Sequence, residues 1–129
     1  MMTENELSYK IIGAAIEVHK NIGVGLLENA YEAALAYELK LLGLKVQQQV
    51  SLPLQYKGMT VQNAYKIDLI VENKVIVEVK SVVELHSISQ AQVLTYLKLS
   101  DLKLGLLINF NTELIKYGIH RVVNKLTDE

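Results

Sequence analysis

Residues 65–80 read YKIDLIVENKVIVEVK, two apolar segments joined by a short polar one. Val, Ile and Leu fill both of its halves, and such residues are enriched in strands. The pattern predicts one strand over 60–71 and another over 75–82. The polar residues Glu72-Asn73-Lys74 between them are the expected hairpin connection.

Three charged side chains interrupt the apolar pattern of these strands: Asp68, Glu78 and Lys80. Glu78 and Lys80 are two residues apart, so they point to the same face of the sheet. A three-residue loop pairs Val71 with Val75 and hence Asp68 with Glu78, with Cβ atoms about 4.5–5.5 Å apart. Two carboxylates at that separation repel unless a cation lies between them. Oxygen ligands favour Mg²⁺ or Mn²⁺ over zinc.

Lys80 beside such a pair suits a different chemical task. An ammonium group there can stabilise the charge that develops on a phosphorane, or position an attacking water. A divalent metal can act as a Lewis acid and lower the pKa of its bound water. The three residues and a metal are what phosphodiester hydrolysis needs. They fit equally an ordinary strand pair that carries a Glu–Lys–Asp surface network, so the residues alone leave both interpretations open.

Periodicity elsewhere predicts three helices and up to three further strands. The helices are expected over 5–20, 26–42 and 87–99, the second capped by Gly43. A polar edge strand is expected over 45–56, a buried apolar strand over 104–110 and a possible edge strand over 113–120. The buried faces are expected to be Ile12, Ala15, Ile16 and His19 on the first helix, and Leu27, Ala30, Tyr31, Ala34, Glu38 and Leu41 on the second.

Further polar residues on the helices have ordinary structural explanations as well as functional ones. Glu28 lies in a first helical turn, where the dipole already favours a carboxylate by roughly 0.3–1 kcal/mol. Gln92 precedes Tyr96 by four residues on the same helical face, which is also the place of a solvated glutamine. His19 on an apolar stripe is more often a core histidine than a ligand.

Length and composition limit the class of protein. The chain has 129 residues, which indicates a single domain over 1–129. It has no cysteine, which excludes disulfide scaffolds, zinc fingers, iron–sulfur sites and cysteine nucleophiles. No apolar run reaches the roughly 20 residues of a membrane span, and the polar start lacks the apolar region of a signal peptide. These features predict a cytoplasmic protein with no membrane partner.

The charge balance is nearly even. Thirteen basic residues face 14 acidic ones, for a net charge of −1, and Arg121 is the single arginine. Proteins that bind nucleic-acid phosphates usually carry a basic excess. A nucleic-acid function here must therefore rest on a local site.

The segment Gly25-Leu26-Leu27-Glu28-Asn29-Ala30-Tyr31 resembles the signature of the GxxExxY proteins. The resemblance extends in order over nearly the whole chain. It includes His19–Gly23, Tyr65–Val71, Glu78–Lys80, Gln92–Lys98 and Gly105–Phe110. That family looks like a compact branch of the PD-(D/E)XK nuclease-like superfamily.

The resemblance implies an α/β fold with a restriction-endonuclease-like core. A mixed sheet flanked by helices is expected, in the order α-α-β-β-β-α-β(-β). Asp68, Glu78 and Lys80 take the signature positions, and auxiliary roles fall to Glu28 and Gln92. Ile67 stands where the superfamily's proline often stands, a common departure. The resemblance supplies no substrate.

The leading hypothesis is a Mg²⁺- or Mn²⁺-dependent nuclease that acts on DNA or RNA. The metal ligands would be Asp68, Glu78, the Val79 carbonyl and Glu28, and Lys80 would serve the reaction. Substrate-positioning roles are assigned to Gln92, Tyr96, Tyr31 and His19.

Two alternatives remain open: a non-catalytic binding domain on the same fold, and a metal-dependent hydrolase with another substrate. The near-neutral charge favours the binding domain. An intact Asp/Glu-x-Lys set argues against it, because a binding module has no reason to keep two opposed carboxylates. A homodimer through Gln47–Leu54 and Leu114–Ile119 is a further expectation.

Overall fold

The computed structural model describes residues 1–127, which form one mixed sheet with helices on both faces. The helices are α1 (Glu4–Ile22), α2 (Glu28–Leu41) and α3 (Ser87–Ser100). The strands are β1 (Val46–Tyr56), β2 (Met59–Val71), β3 (Val75–Lys80), β4 (Leu104–Asn109) and β5 (Ile119–Val123). Within the described residues, no helix is both long and apolar enough to cross a membrane.

The strands lie in the order β1-β2-β3-β4-β5. Strands β3 and β4 are parallel and are linked through α3, while the other neighbours are antiparallel. The predicted element order and mixed sheet are therefore confirmed. Strands β1 and β5 form the two edges, and β3 lies in the centre with the residues of greatest chemical interest.

The last edge strand begins later than expected. Residues 113–120 were predicted as a strand, but Ile115–Gly118 forms a 3₁₀ turn and β5 starts at Ile119. The cause is a close approach of the turn to the end of β4. A Cβ on Gly118 would lie 2.0 Å from the carbonyl oxygen of Asn109. The chain must finish this tight turn before it can pair with β4.

Helices α1 and α2 cover one face of the sheet, but their buried faces differ from the predicted ones. In α1 the buried residues are Leu7, Ser8, Ile11, Ala14, Ala15 and Val18, and Ile16 is 47% exposed. In α2 they are Tyr31, Glu32, Leu35, Ala36 and Leu39, and Leu27 and Leu41 are exposed. Both predicted buried faces are rotated about the helix axis relative to the observed ones. Isoleucine, leucine and alanine occupy neighbouring positions, so two adjacent faces of each helix fit the same helical period.

Helix α3 covers the opposite face and forms a second core cluster. Its members are Ile67, Ile70, Ile76, Val93, Tyr96, Leu97 and Leu107. Gly105 allows α3 to approach β4 closely, since a Cβ there would lie 2.5 Å from Cγ1 of Val93. This contact explains a glycine inside an otherwise apolar strand.

Gly43 ends α2 as predicted and directs the chain into β1. It has φ +81°, a conformation that glycine adopts at little cost. The N–H of Gly43 donates to the Lys40 carbonyl, and the N–H of Leu44 donates to the Leu39 carbonyl. This paired hydrogen bonding is the Schellman ending of a helix. It places the start of β1 beside the buried face of α2.

Candidate active site

The hairpin between β2 and β3 has the predicted register. Val71 pairs with Val75, Ile70 with Ile76 and Leu69 with Val77. The three-residue connection, residues 72–74, turns through positive φ values of 53° at Glu72 and 55° at Asn73. The pairing of Leu69 with Val77 is the last in the ladder.

Beyond the end of that ladder, β2 and β3 are joined by hydrogen bonds between side chains and backbone. The backbone N–H of Asp68 donates to Oε2 of Glu78 at 2.7 Å. The backbone N–H of Val79 donates to Oδ2 of Asp68 at 2.9 Å. Each carboxylate thus accepts a hydrogen bond from the opposite strand. The two acids meet at the point where the strands separate.

Burial makes these two acids hold protons strongly. Glu78 is 7% exposed. Burial, followed by the charge of Asp68, raises the pKa of Glu78 to about 8. Burial also raises the pKa of Asp68, while the hydrogen bond from Val79 lowers it. The positive charge of Lys80 lowers the pKa of both carboxyls, but by less than burial raises it. A bound cation would relieve both desolvation and repulsion.

A third acid, Glu32 on α2, lies beside this pair. It is 9% exposed, and its charge raises the pKa of both Asp68 and Glu78. Its carboxylate accepts hydrogen bonds from Gln48 at 3.3 Å and from Gln49 at 2.8 Å. Glu32 was not predicted, because the predicted buried face of α2 ran through Ala34 and Glu38 and left Glu32 outside it. The buried residues Tyr31 and Leu35 on either side of Glu32 are the signal that could have identified it.

Gln49 connects two of the acids. Its Nε2 donates to Oε1 of Glu32 at 2.8 Å and to Oδ1 of Asp68 at 3.3 Å. Gln49 has φ 52°, an unusual value for a residue other than glycine, and it is missing from the pairs of β1 with β2, between Gln48 and Val50. The three consecutive glutamines carry no sign of this irregularity in the sequence.

Tyr96 and Lys80 lie near the acids, whereas Gln92 lies on the surface. Tyr96 is buried and makes an edge contact with Tyr65, with ring centroids 5.8 Å apart. Burial and then the charge of Glu78 raise the pKa of the Tyr96 phenol. Lys80 is half-buried at the end of β3. Gln92 is exposed one turn before Tyr96, so its proposed role has no contact to support it.

Tyr31, which the sequence predicted to position a substrate, lies in the core of the structure. Its side chain is fully buried and stacks on Phe110, with ring centroids 4.6 Å apart. Its hydroxyl donates to the Gly23 carbonyl at 2.6 Å and accepts from the Leu26 N–H at 3.3 Å. The tyrosine of the GxxExxY signature therefore fixes the loop between α1 and α2.

His19 and Glu28 are also placed apart from the acids. The Nε2 of His19 lies 2.9 Å from the Thr112 carbonyl oxygen, and its ring is near Phe110. This is the contact of a structural histidine. Glu28 is exposed in the first turn of α2, and the acid of this helix that influences Asp68 is Glu32, one turn later. The structure therefore does not bring Glu28 into the cluster.

The donor chemistry fits a hard divalent cation. Asp68 and Glu78 offer desolvated, mutually repelling oxygens, as Mg²⁺ and Mn²⁺ prefer. Within residues 1–127, no three His, Asp or Glu side chains are already arranged as a metal cage. Mg²⁺ does not require one, because it is often held by one or two carboxylates together with waters and substrate phosphates.

The acid pair is separate from a surface depression on α1. This depression of about 450 Å³ is lined by Met2, Asn5, Glu6, Tyr9 and Lys10. It has no buried acid pair and no residue of the Asp/Glu-x-Lys set. The chemistry of the side chains, not concavity, identifies the candidate site at the separation of β2 and β3.

Comparison with known proteins agrees with this assignment of the fold. A family description of the PD-(D/E)XK nuclease superfamily matches residues 5–122, and the chain belongs to that superfamily. The five-stranded mixed sheet with three flanking helices is consistent with its restriction-endonuclease-like core. The GxxExxY branch is compatible with this membership. No curated protein and no solved structure matched the chain.

Proposed function

We propose that the protein is a divalent-metal-dependent nuclease that hydrolyses phosphodiester bonds in DNA, with RNA as a second substrate to be tested. The observation that carries the proposal is the pairing of the half-buried Asp68 with the buried Glu78, with Lys80 two residues after Glu78 on β3. Placing two acids together out of water costs stability, and a bound cation would offset that cost. Membership in a nuclease superfamily supports the same conclusion.

Asp68 and Glu78 are the proposed metal ligands, and Mg²⁺ or Mn²⁺ would supply Lewis acidity and an acidified water. Glu32, whose charge reaches both acids, would take the auxiliary role predicted for Glu28. Gln49 would keep Glu32 and Asp68 in place, since it donates to both. The Val79 carbonyl remains a predicted third protein ligand.

Lys80 is the proposed group that stabilises negative charge at the reacting phosphate. Its ammonium lowers the pKa of both acids, so its charge reaches the site. A positive donor aimed at developing charge in a low-dielectric site is worth about 3–4 kcal/mol of the barrier. The Tyr96 phenol, next to the acids and supported by Tyr65, would orient a phosphate oxygen.

A catalytically silent binding domain is the second candidate. The net charge of −1 and the single arginine favour it, since a nuclease of duplex DNA usually carries more positive charge. A binding domain, however, does not account for the pairing of Asp68 with Glu78. The two functions differ in one property: a nuclease needs the metal for product formation, whereas the binding domain forms no product.

The test is cleavage of labelled duplex DNA, single-stranded DNA and single-stranded RNA in Mg²⁺, in Mn²⁺ and in EDTA. The wild type is compared with Asp68→Asn and with Glu84→Gln, which changes an exposed acid outside the cluster. Cleavage in metal that is lost in Asp68→Asn and kept in Glu84→Gln supports the nuclease. Absence of cleavage on every substrate would favour the binding domain. Sedimentation of the same wild-type sample tests the proposed homodimer.

A further inference from the structure

The β1–β2 hairpin extends well beyond the rest of the sheet. Strand β2 pairs with β3 only over Leu69–Val71, whereas β1 and β2 remain paired out to Tyr56 and Met59. Residues 51–66 therefore form a two-stranded ribbon, here called the arm, with a register shift between Leu52 and Leu54. Its eight β2 residues, 59–66, span at most about 26 Å at about 3.3 Å per residue.

The arm lies within a long stretch of chain that has no negative charge. None of the 14 acidic residues falls within residues 39–67, which contain Lys40, Lys45, Lys57 and Lys66. The remainder of the chain thus carries nine basic and 14 acidic residues. A protein with a net charge of −1 therefore presents a positive arm on an acidic body.

The outer part of the arm has a distinct apolar face. The cross-strand pairs Tyr56–Met59 and Leu54–Val61 place these side chains on one side. Tyr56 and Met59 are each 56% exposed. The Nζ of Lys57, in the turn, lies 5.5 Å from the centroid of the Tyr56 ring. An exposed aromatic ring beside a lysine is suited to a partner with flat rings and negative charge.

The base of the arm leads to the acid cluster. Tyr65 contacts Tyr96, whose phenol is influenced by the charges of Glu78 and Asp68. A ligand that lies along the arm would therefore extend toward Lys80 and the two acids. This continuity connects the positive surface with the place where chemistry is proposed.

We propose that the arm is the docking element for double-stranded DNA, an inference that rests on the proposed function. A two-stranded ribbon fits the major groove, which is about 12 Å wide. Lys57 and Lys66 would neutralise phosphates, and Tyr56 with Met59 would contact bases or sugars. For residues 55–66 of the arm, which carry Lys57 and Lys66, a second copy of this chain is a less suitable occupant. Two-fold pairing brings the same patch together, and here both patches are positive.

The test is binding of a labelled 30-base-pair duplex by fluorescence anisotropy in EDTA at several salt concentrations. The arm variant is Lys57→Gln/Lys66→Gln, and the control is Lys20→Gln/Lys116→Gln, which removes two exposed lysines elsewhere. Each phosphate contact contributes about 0.9 to the slope of log affinity against log salt. The arm variant should lower that slope by about 1.8, and the control should leave it unchanged.

A second pair of variants tests the aromatic contact. Tyr117 is exposed and lies under Lys116, at 5.3 Å, in the same way that Tyr56 lies under Lys57. Tyr56→Ser should weaken duplex binding about tenfold, whereas the matched Tyr117→Ser should not. Thermal unfolding of all variants confirms that they are folded.

The outcomes separate this inference from the proposed function. Equal slopes for the arm variant and its control would overturn the arm as the docking element, while metal-dependent cleavage would still support the nuclease. No duplex binding by the wild type would also overturn the inference. Conversion of a dimer to a monomer by the arm variants, with unchanged DNA binding, would assign the arm to a second copy and overturn it too.

Discussion

Asp68 and Glu78 keep their carboxylates in place through backbone N–H groups of the opposite strand, so the backbone pays part of the cost of their burial. Their positions followed from the sequence because residue alternation in strands has a period of two and the three-residue loop sets the register. Gln49 could not be predicted, because nothing in three consecutive glutamines indicates which one adopts a positive φ.

The raised pKa of Glu78 makes stability depend on pH. The folded state binds its proton up to about pH 8, whereas the unfolded side chain loses it near 4.5. Between these values the native state holds more protons, so the free energy of unfolding falls as pH rises. The fall is at most about 5 kcal/mol for a shift of this size. Asp68, with its raised pKa, acts in the same direction.

Glu78→Gln should flatten this dependence, since glutamine cannot ionise. The measurement is urea unfolding from pH 5 to pH 9 without metal, with Glu84→Gln as the control. The wild type and the control should lose stability across that window, and Glu78→Gln should lose much less. Parallel curves for all three proteins would show that Glu78 is not a buried acid.

Gln49 combines a positive φ with hydrogen bonds to two acids, and substitutions can separate the two effects. Gln49→Ala should destabilise the protein by about 2 kcal/mol, because two hydrogen bonds to charged groups are lost. Gln49→Gly loses the same bonds but suits φ 52° better. The glycine variant should therefore be about 1 kcal/mol more stable than the alanine variant in urea unfolding. The opposite order, usual inside strands, would contradict this.

Helix α2 carries two acids near its N-terminus, and only Glu32 faces the site. Glu32 follows Tyr31 on the buried face, while Glu28 is one turn earlier and exposed. The sequence resemblance implied a role for Glu28. The helical periodicity could not show that Glu32 is the buried acid instead, because alanine and leucine on both sides of α2 made the buried face ambiguous.

Titration calorimetry with Mn²⁺ distinguishes these two glutamates. Glu32→Gln should weaken metal binding about tenfold, as expected for a charge next to the ligands. Glu28→Gln should bind Mn²⁺ as the wild type does and is the matched control on the same helix. A larger loss in Glu28→Gln than in Glu32→Gln would restore the original assignment.

The contact between α3 and β4 gives a prediction about packing. Gly105→Ala should destabilise the protein by about 1–3 kcal/mol, since the new methyl group would overlap Cγ1 of Val93. In a Val93→Ala background, the same change should cost clearly less. Thermal unfolding of the four proteins completes the cycle. Equal costs in both backgrounds would mean that Val93 is not the obstacle.

For the whole molecule, the order of elements could be read from the sequence. Turns such as Gly23–Gly25 and Gly43 separate the segments clearly, and a buried parallel strand such as β4 is nearly all apolar. The start of β5 could not be predicted from the sequence. It depends on the close approach of Gly118 to the carbonyl oxygen of Asn109, which strand periodicity does not reveal. Nor could total charge show that the lysines around β1 and β2 are separated from the acids.

Lys80 provides the most direct test of the central claim, that this chain catalyses metal-dependent phosphodiester cleavage. Initial cleavage rates of one labelled duplex in Mn²⁺ are compared for wild type, Lys80→Ala and Lys80→Arg. Circular dichroism and Mn²⁺ calorimetry on the same samples confirm folding and metal binding. Folded, metal-bound Lys80→Ala should lose at least about 10²-fold in rate. Lys80→Arg should not restore it, because the planar guanidinium is not a compact charge. Full activity in folded Lys80→Ala would show that Lys80 does not serve the reaction, and no cleavage by the folded, metal-bound wild type would contradict the claim.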